Sequence, residues 1–133
     1  MLYFAYGSNL HHEQMKKRCI GCKYLKKYIL QDYRLTFRSE LCVADIEYKK
    51  ESTVQGALYE ITPKDESCLD KYEHFPILYK KIFFKLEGRD VMAYSMEKKT
   101  PFKYPSTRYL NIIKQGYKDC GLDSNFLIEA LKG

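Results

Sequence analysis

The chain has 133 residues, enough for one folded domain with a sizeable core. With 45% hydrophobic and 30% charged residues it is no disordered polyelectrolyte, and no apolar run reaches the ~18 residues of a membrane-spanning helix. The net charge of +6 permits an anionic partner, yet the basic residues fall in scattered groups (Lys16-Lys17-Arg18, Lys26-Lys27, Lys49-Lys50, Lys80-Lys81, Lys98-Lys99) that read as solvated faces, so nucleic-acid binding is not expected.

Leu2 to Tyr6 is an apolar run that predicts a short buried strand. Gly7-Ser8-Asn9 predicts a tight turn, and Leu10 to Cys19 a helix with Leu10 and Met15 facing inward. A strand, a small-residue turn and a helix start leave backbone N–H groups free to hold an anion or oxyanion; the same pattern also describes a plain corner without a ligand. Tyr24 to Phe37 alternates loosely and predicts one or two strands around Gln31-Asp32. Cys42 to Ile46 is a further short strand, Lys49 to Thr53 a polar turn, and Val54 to Ile61 an inner strand in which Gly56 marks a bend or close backbone approach.

Thr62-Pro63-Lys64-Asp65 is a helix start: Thr62 as N-cap, Pro63 in the first helical position, Asp65 and Glu66 in the first turn. This helix ends near Glu73, before Pro76. Leu78–Leu86 and Val91–Met96 flank Glu87-Gly88-Arg89-Asp90 and predict a hairpin. After a loop from Pro101 to Pro105, Ser106 caps a helix over Thr107–Lys118 with Leu110, Ile113 and Tyr117 on one face. Gly121 ends it, and Asn125–Leu131 forms a last short helix. The sum is one α+β domain over residues 1–133, with a small, mostly antiparallel sheet curved towards a β-barrel and flanking helices.

Cys19, Cys22, Cys42, Cys68 and Cys120 are odd in number and widely spread, which predicts free thiols. Cys19-Ile20-Gly21-Cys22 matches C-x-x-C, but with no second pair and only His11, His12 and His74, no metal site is predicted. No serine or cysteine triad is evident. The residue out of place is Glu73. It follows Leu69 and Tyr72 at helical spacing and so shares a face with apolar residues. It either sits at a frayed helix end in water or is a buried carboxylate. In the second case, beside the Gly7–Asn9 donors, it suits an acyl transfer in which an amine loses a proton and a carbonyl oxygen gains charge.

Tyr3-Phe4-Ala5-Tyr6-Gly7-Ser8-Asn9-Leu10 resembles the opening motif of the γ-glutamylcyclotransferases. Leu69-Asp70-Lys71-Tyr72-Glu73 resembles the family's L-D-x-x-E segment, Val54-Gln55-Gly56-Ala57-Leu58-Tyr59 the strand before it, and Pro105-Ser106-Thr107-Arg108-Tyr109-Leu110 its C-terminal segment. The resemblance implies that Glu73 is the general acid/base. It implies that Tyr6, Gly7, Ser8, Asn9, Leu10, Tyr79 and Tyr109 line the substrate site, and that the fold is the family's small barrel. The implied reaction is cyclisation of a γ-glutamyl amine or amino acid to 5-oxoproline without a cofactor. The expected partner is that small molecule, with no nucleic acid or membrane, in a cytoplasmic monomer or homodimer. A non-catalytic binding module of the same fold and, more remotely, a basic RNA-associated protein are the alternatives. Two positions depart from the family pattern: His74 stands where glycine usually follows the glutamate, and Lys80 or Lys81 where arginine is common. His74 is expected to narrow the pocket or add a second titrating group.

Overall fold

A computed structural model describes residues 1–133. Five strands, β1 (Leu2–Ala5), β2 (Lys23–Arg38), β3 (Val43–Glu60), β4 (Tyr79–Leu86) and β5 (Arg89–Met96), form one sheet in the order β2-β3-β1-β5-β4. The helices are α1 (His12–Arg18), α2 (Pro63–Tyr72), α3 (Thr107–Cys120) and α4 (Ser124–Ala130), with a 3₁₀ turn at Ser8–Leu10 between β1 and α1. No helix is long and apolar enough to cross a membrane.

β1 is the middle strand, antiparallel to β3 and parallel to β5, and all four of its residues are buried. That explains its unbroken apolar pattern, since a strand covered on both faces needs no polar alternation. Tyr3 packs against the rings of Tyr59 and Tyr94, whereas Phe4 meets Tyr28 and Phe84 edge-on. Tyr28 and Phe84 belong to the two edge strands, yet their rings stack at 6.1 Å and 12°. The sheet therefore curls around Phe4 until its edges touch through side chains, without hydrogen bonds joining β2 to β4. The expected barrel is an open, rolled sheet.

Of the one or two strands expected around Gln31-Asp32 the structure has one, and the turn expected at Lys49–Thr53 is a bulge. β2 runs unbroken past Gln31-Asp32, and β3 runs through Lys49–Thr53, where a turn is expected. The pairing shifts between Gln31 and Tyr33. Asp32 and Glu51 lie opposite in the left-handed region (φ 63° and 71°), and Asp32 Oδ1 accepts from the Glu51 N–H at 2.9 Å. Polar residues that read as a turn are thus absorbed by a paired irregularity within one long hairpin. The hairpin's reversal lies at residues 39–42, between Arg38 and Val43. The β4–β5 hairpin turns on Glu87-Gly88, both at positive φ, as a two-residue loop demands.

The expected capping signals hold. Thr62 and Asp65 form a reciprocal capping box at α2, and Asp65 also accepts from the Gly21 N–H, tying α2 to the start of β2. Ser106 caps α3, which buries Leu110, Ile113 and Tyr117. Gly56 is a close approach as expected: a Cβ there would lie 2.2 Å from the Ala5 carbonyl oxygen. Gly116 is a second one. A Cβ there would lie 2.5 Å from Leu10 Cβ and 2.7 Å from the His11 amide nitrogen. The absence of a side chain at 116 lets α3 press on the 3₁₀ turn and hold it against the end of β1.

α2 closes with a left-handed residue. The Phe75 N–H bonds the Asp70 carbonyl at 2.9 Å and the His74 N–H bonds the Lys71 carbonyl at 3.2 Å, with His74 at φ 52°. This is the paired closure that favours glycine. His74 is exposed and does not line the pocket described below, so the expectation that it narrows the pocket is not met.

Replacing Gly116 with Ala is expected to destabilise the fold by ~1–3 kcal/mol, because a backbone nitrogen cannot rotate away; denaturant unfolding reads this, and a gain in stability would contradict the packing. His74→Gly is expected to stabilise by ~1 kcal/mol through relief of the left-handed backbone, seen as a rise of a few degrees in Tm.

Candidate active site

β1 leaves the sheet at Ala5, and the chain turns immediately. The 3₁₀ turn's own hydrogen bonds run from the Leu10 N–H to the Gly7 carbonyl at 3.0 Å and from the His11 N–H to the Ser8 carbonyl at 3.2 Å. The amides of Gly7, Ser8 and Asn9 therefore stand outside its ladder. A small pocket opens at this corner. Tyr6, Gly7, Ser8 and Asn9 form one side; Glu73, Tyr79 and Tyr109 form the other; Tyr3, Ala44 and Tyr94 complete it. Of the expected site residues, only Leu10 is elsewhere. Its side chain is fully buried in the core, and its N–H is committed to Gly7.

Glu73 is the C-cap of α2, half-buried, with its carboxylate turned into the pocket. The frayed-end alternative is not what the structure shows. Asn9 Nδ2 donates to Glu73 Oε1 at 3.4 Å and to Tyr3 Oη at 2.9 Å. Desolvation pushes the Glu73 carboxyl up to about 7, partly opposed by the Arg18 charge. Around it stand phenols whose own ionisation burial disfavours: Tyr3, Tyr6, Tyr79, Tyr94 and Tyr109 all titrate above the ordinary tyrosine range. They remain neutral and available as hydrogen-bond partners.

Backbone atoms fix these phenols. Tyr6 Oη donates to the Tyr94 carbonyl at 2.6 Å, and Tyr79 Oη donates to the Ala44 carbonyl. The Ala44 N–H donates to Tyr109 Oη at 3.0 Å, which leaves the Tyr109 hydroxyl proton free to donate. Ala44 on β3 thus anchors two walls that are 30 residues apart in sequence, Tyr79 from β4 and Tyr109 from α3.

Not every basic residue is on a solvated face. Lys81 Nζ bridges Glu66 at 2.9 Å and Asp70 at 3.0 Å, and Asp70 also accepts from Tyr94 Oη at 2.6 Å. Lys81 thereby neutralises the carboxylate one turn before Glu73. Lys99 pairs with the fully buried Asp45 at 2.9 Å, together with Arg38 at 3.1 Å. Arg18 Nη1 donates to Asn9 Oδ1 at 2.7 Å and to Ser8 Oγ at 3.2 Å, and its guanidinium lies 4.5 Å from the Tyr72 ring centre. Along the sequence Arg18 reads only as part of a basic cluster; what sets it apart is its spacing, one helical turn after the inward-facing Met15.

The cysteines are free. Cys120 Sγ does have a histidine partner, His12 Nε2 at 3.3 Å, where none is expected. Burial pushes the Cys120 thiol up to about 12, so it is no ready nucleophile. Cys19 is likewise raised to about 12 by burial. No group of His, Cys, Asp and Glu is arranged to hold a metal ion. A larger cleft, about 520 Å³, lies between the far part of the β2–β3 hairpin and α4. Its Arg34 and Lys132 are paired with Glu47 and Glu129, and it lacks the convergence of raised carboxyl and phenols seen at Glu73.

A family profile described as "Gamma-glutamyl cyclotransferase, AIG2-like" matches residues 3–116. Among solved structures, one described as "Gamma-glutamyl cyclotransferase" is 27% identical with a TM-score of 0.81, covering 100% of this chain and 86% of its own. An uncharacterized protein from Homo sapiens is 28% identical with a TM-score of 0.79, covering 99% of this chain and 86% of its own. YkqA from Bacillus subtilis shares the fold at 23% identity and a TM-score of 0.82, covering 100% of this chain and 54% of its own. No curated protein sequence matches the chain. The profile spans most of the residues that build the sheet and the pocket, and the chain belongs to the gamma-glutamyl cyclotransferase, AIG2-like family.

Proposed function

We propose that this chain cyclises a γ-glutamyl amine or γ-glutamyl amino acid, releasing 5-oxoproline and the free amine or amino acid, with Glu73 as general acid/base. The observation that carries the reading is the Glu73 carboxyl, raised to about 7 by burial and facing a pocket of neutral phenols and unused turn amides. The substrate's α-ammonium gives its proton to Glu73. The α-nitrogen then attacks the γ-carbonyl carbon, which closes the ring, leaves a positive charge on the ring nitrogen and makes the carbonyl oxygen an oxyanion. Glu73 passes its proton to the leaving nitrogen and takes the surplus proton from the ring nitrogen, and collapse of the oxyanion breaks the bond from the γ-carbon to the leaving nitrogen. Glu73 hands that second proton to the released amine, which departs as an ammonium, so no electrons are exchanged and the acid/base ends as the carboxylate it began as.

The magnitudes favour a raised carboxyl. An α-ammonium titrates near ~8, so transfer to an ordinary glutamate is uphill by ~5 kcal/mol; a carboxyl at about 7 reduces this to ~1.4 kcal/mol. Holding the amine against its own γ-carbonyl adds a proximity gain equivalent to roughly 10⁵ M or more. The amides of Gly7, Ser8 and Asn9 supply donors for the substrate carboxylate or the oxyanion, and the Tyr109 hydroxyl supplies another. Tyr6 and Tyr79, held by backbone carbonyls, shape the walls. A γ-glutamyl substrate needs no cofactor for this reaction.

Glu73→Gln is expected to lower 5-oxoproline release by about 10²–10⁴-fold from a panel of γ-glutamyl amino acids and amines; near wild-type turnover would overturn the assignment. The same variant tests the burial. Unfolded chain releases the Glu73 proton near 4.5, whereas the native state keeps it to about 7. The native state therefore binds more protons in that window, and wild-type stability falls as pH rises through it. Glu73→Gln lacks this penalty, so its stability relative to wild type is expected to rise by ~2–3 kcal/mol between pH ~4.5 and above ~7. A pH-independent difference in denaturant unfolding would place the carboxylate in water.

A further inference from the structure

Asn9 presents an amide whose two ends have different partners. Oδ1 accepts from Arg18 Nη1 at 2.7 Å, while Nδ2 donates to Tyr3 Oη at 2.9 Å and to Glu73 Oε1 at 3.4 Å. A guanidinium can only donate, so its contact determines which end of the amide faces it and turns the N–H₂ end to Glu73. The same Nη1 reaches Ser8 Oγ at 3.2 Å, so one cation holds two successive residues of the turn. Stacking on Tyr72, the residue before Glu73, ties the guanidinium to the end of α2 as well.

We propose that Arg18 is a positioning residue: by clamping Asn9 and Ser8 it aims the Asn9 amide N–H at the Glu73 carboxylate, and it sets a cation at the end of α2 that carries that carboxylate. This rests on the reading of Glu73 as the general acid/base.

The charges around Glu73 leave Arg18 alone in this role. From β1, β4, β5 and α3 come the neutral phenols of Tyr3, Tyr79, Tyr94 and Tyr109, with Tyr6 from the segment after β1. Asp70, on Glu73's own helix, is held by Lys81 and Tyr94. Asp45, from β3, is held by Arg38 and Lys99. Arg18 is the one charged group that opposes the burial of Glu73. Its planar fork also matters, because a lysine ammonium supplies a point charge without the rigid geometry that serves Asn9 and Ser8 together.

The test uses Arg18→Met, Arg18→Lys, Asn9→Ala and the Arg18→Met/Asn9→Ala pair. The Glu73 titration is followed by carbon NMR of glutamate-labelled protein, the signal being assigned by its loss in Glu73→Gln. In Arg18→Met the midpoint is expected to move above the wild-type value, and kcat to fall by about 10–100-fold with little change in KM. Arg18→Lys is expected to keep the midpoint near wild type yet still lower kcat, which separates charge from fork and guards against an unfolded methionine variant. The double variant should lose scarcely more kcat than Arg18→Met alone, because the two residues act in series. An unmoved midpoint in Arg18→Met overturns the proposal, as does an effect confined to KM, which would make Arg18 a direct substrate contact. The titration needs no turnover. A midpoint that moves in a protein that forms no 5-oxoproline would uphold the clamp and overturn the proposed reaction.

Discussion

The burial of β1 on both faces is the constraint from which the site follows. Four residues pair with β3 on one side and β5 on the other, so the chain must leave the sheet where β1 ends. Curling of the sheet around Phe4 brings the edge strands together and shapes the molecule around that exit. α3 then presses on the turn through Gly116, and Tyr59 Oη on β3 donates to the Asn9 carbonyl at 3.1 Å. The turn is held by a strand before it, a helix over it and a phenol beneath it. Loops so fixed can present amides without reorganising when charge develops.

The electrostatics follow one rule. Each carboxylate near the pocket is neutralised by its own cation except one. Asp70 has Lys81; Asp45 has Arg38 and Lys99. Glu73 receives only the Asn9 amide, at a long 3.4 Å, and the more remote influence of Arg18. Desolvation without a direct cation partner raises the Glu73 carboxyl. Two neighbouring carboxylates on α2, Asp70 and Glu73, thus have opposite environments although a single turn of helix separates them.

Strands and helices were legible where the pattern was local. The capping box at Thr62, the Ser106 cap, the apolar stripe of α3 and the glycine turn at Glu87-Gly88 need only neighbouring residues. Two expectations differ from the structure, each for its own reason. The polar stretch Lys49–Thr53 reads as a turn because its residues are polar, but it is an irregularity between paired stretches of a long hairpin, where Asp32 Oδ1 on the facing strand accepts from the Glu51 N–H. The word barrel overstates the curl of the expected curved sheet, since a sheet can bring its edge side chains together without joining its edge backbones.

By itself the sequence determined the order of elements and the turn after β1, and it put Glu73 on an apolar helix face while leaving its burial open, because helical and strand periodicity are short-range properties. Resemblance added which residues to gather, and the fold gathers all of them except Leu10, whose side chain the core claims. Tertiary structure alone decided which charges are free. Arg18, Lys81 and Lys99 belong to basic clusters that look alike along the chain, yet each reaches a partner or a pocket residue at least nine positions away in sequence, apart from the shorter Lys99–Ser95 contact. Desolvation and ion pairing depend on what packs around a group in space. The ionisation of Glu73 is set by β1, α1, β4, β5 and α3 together, and no local window of sequence contains them.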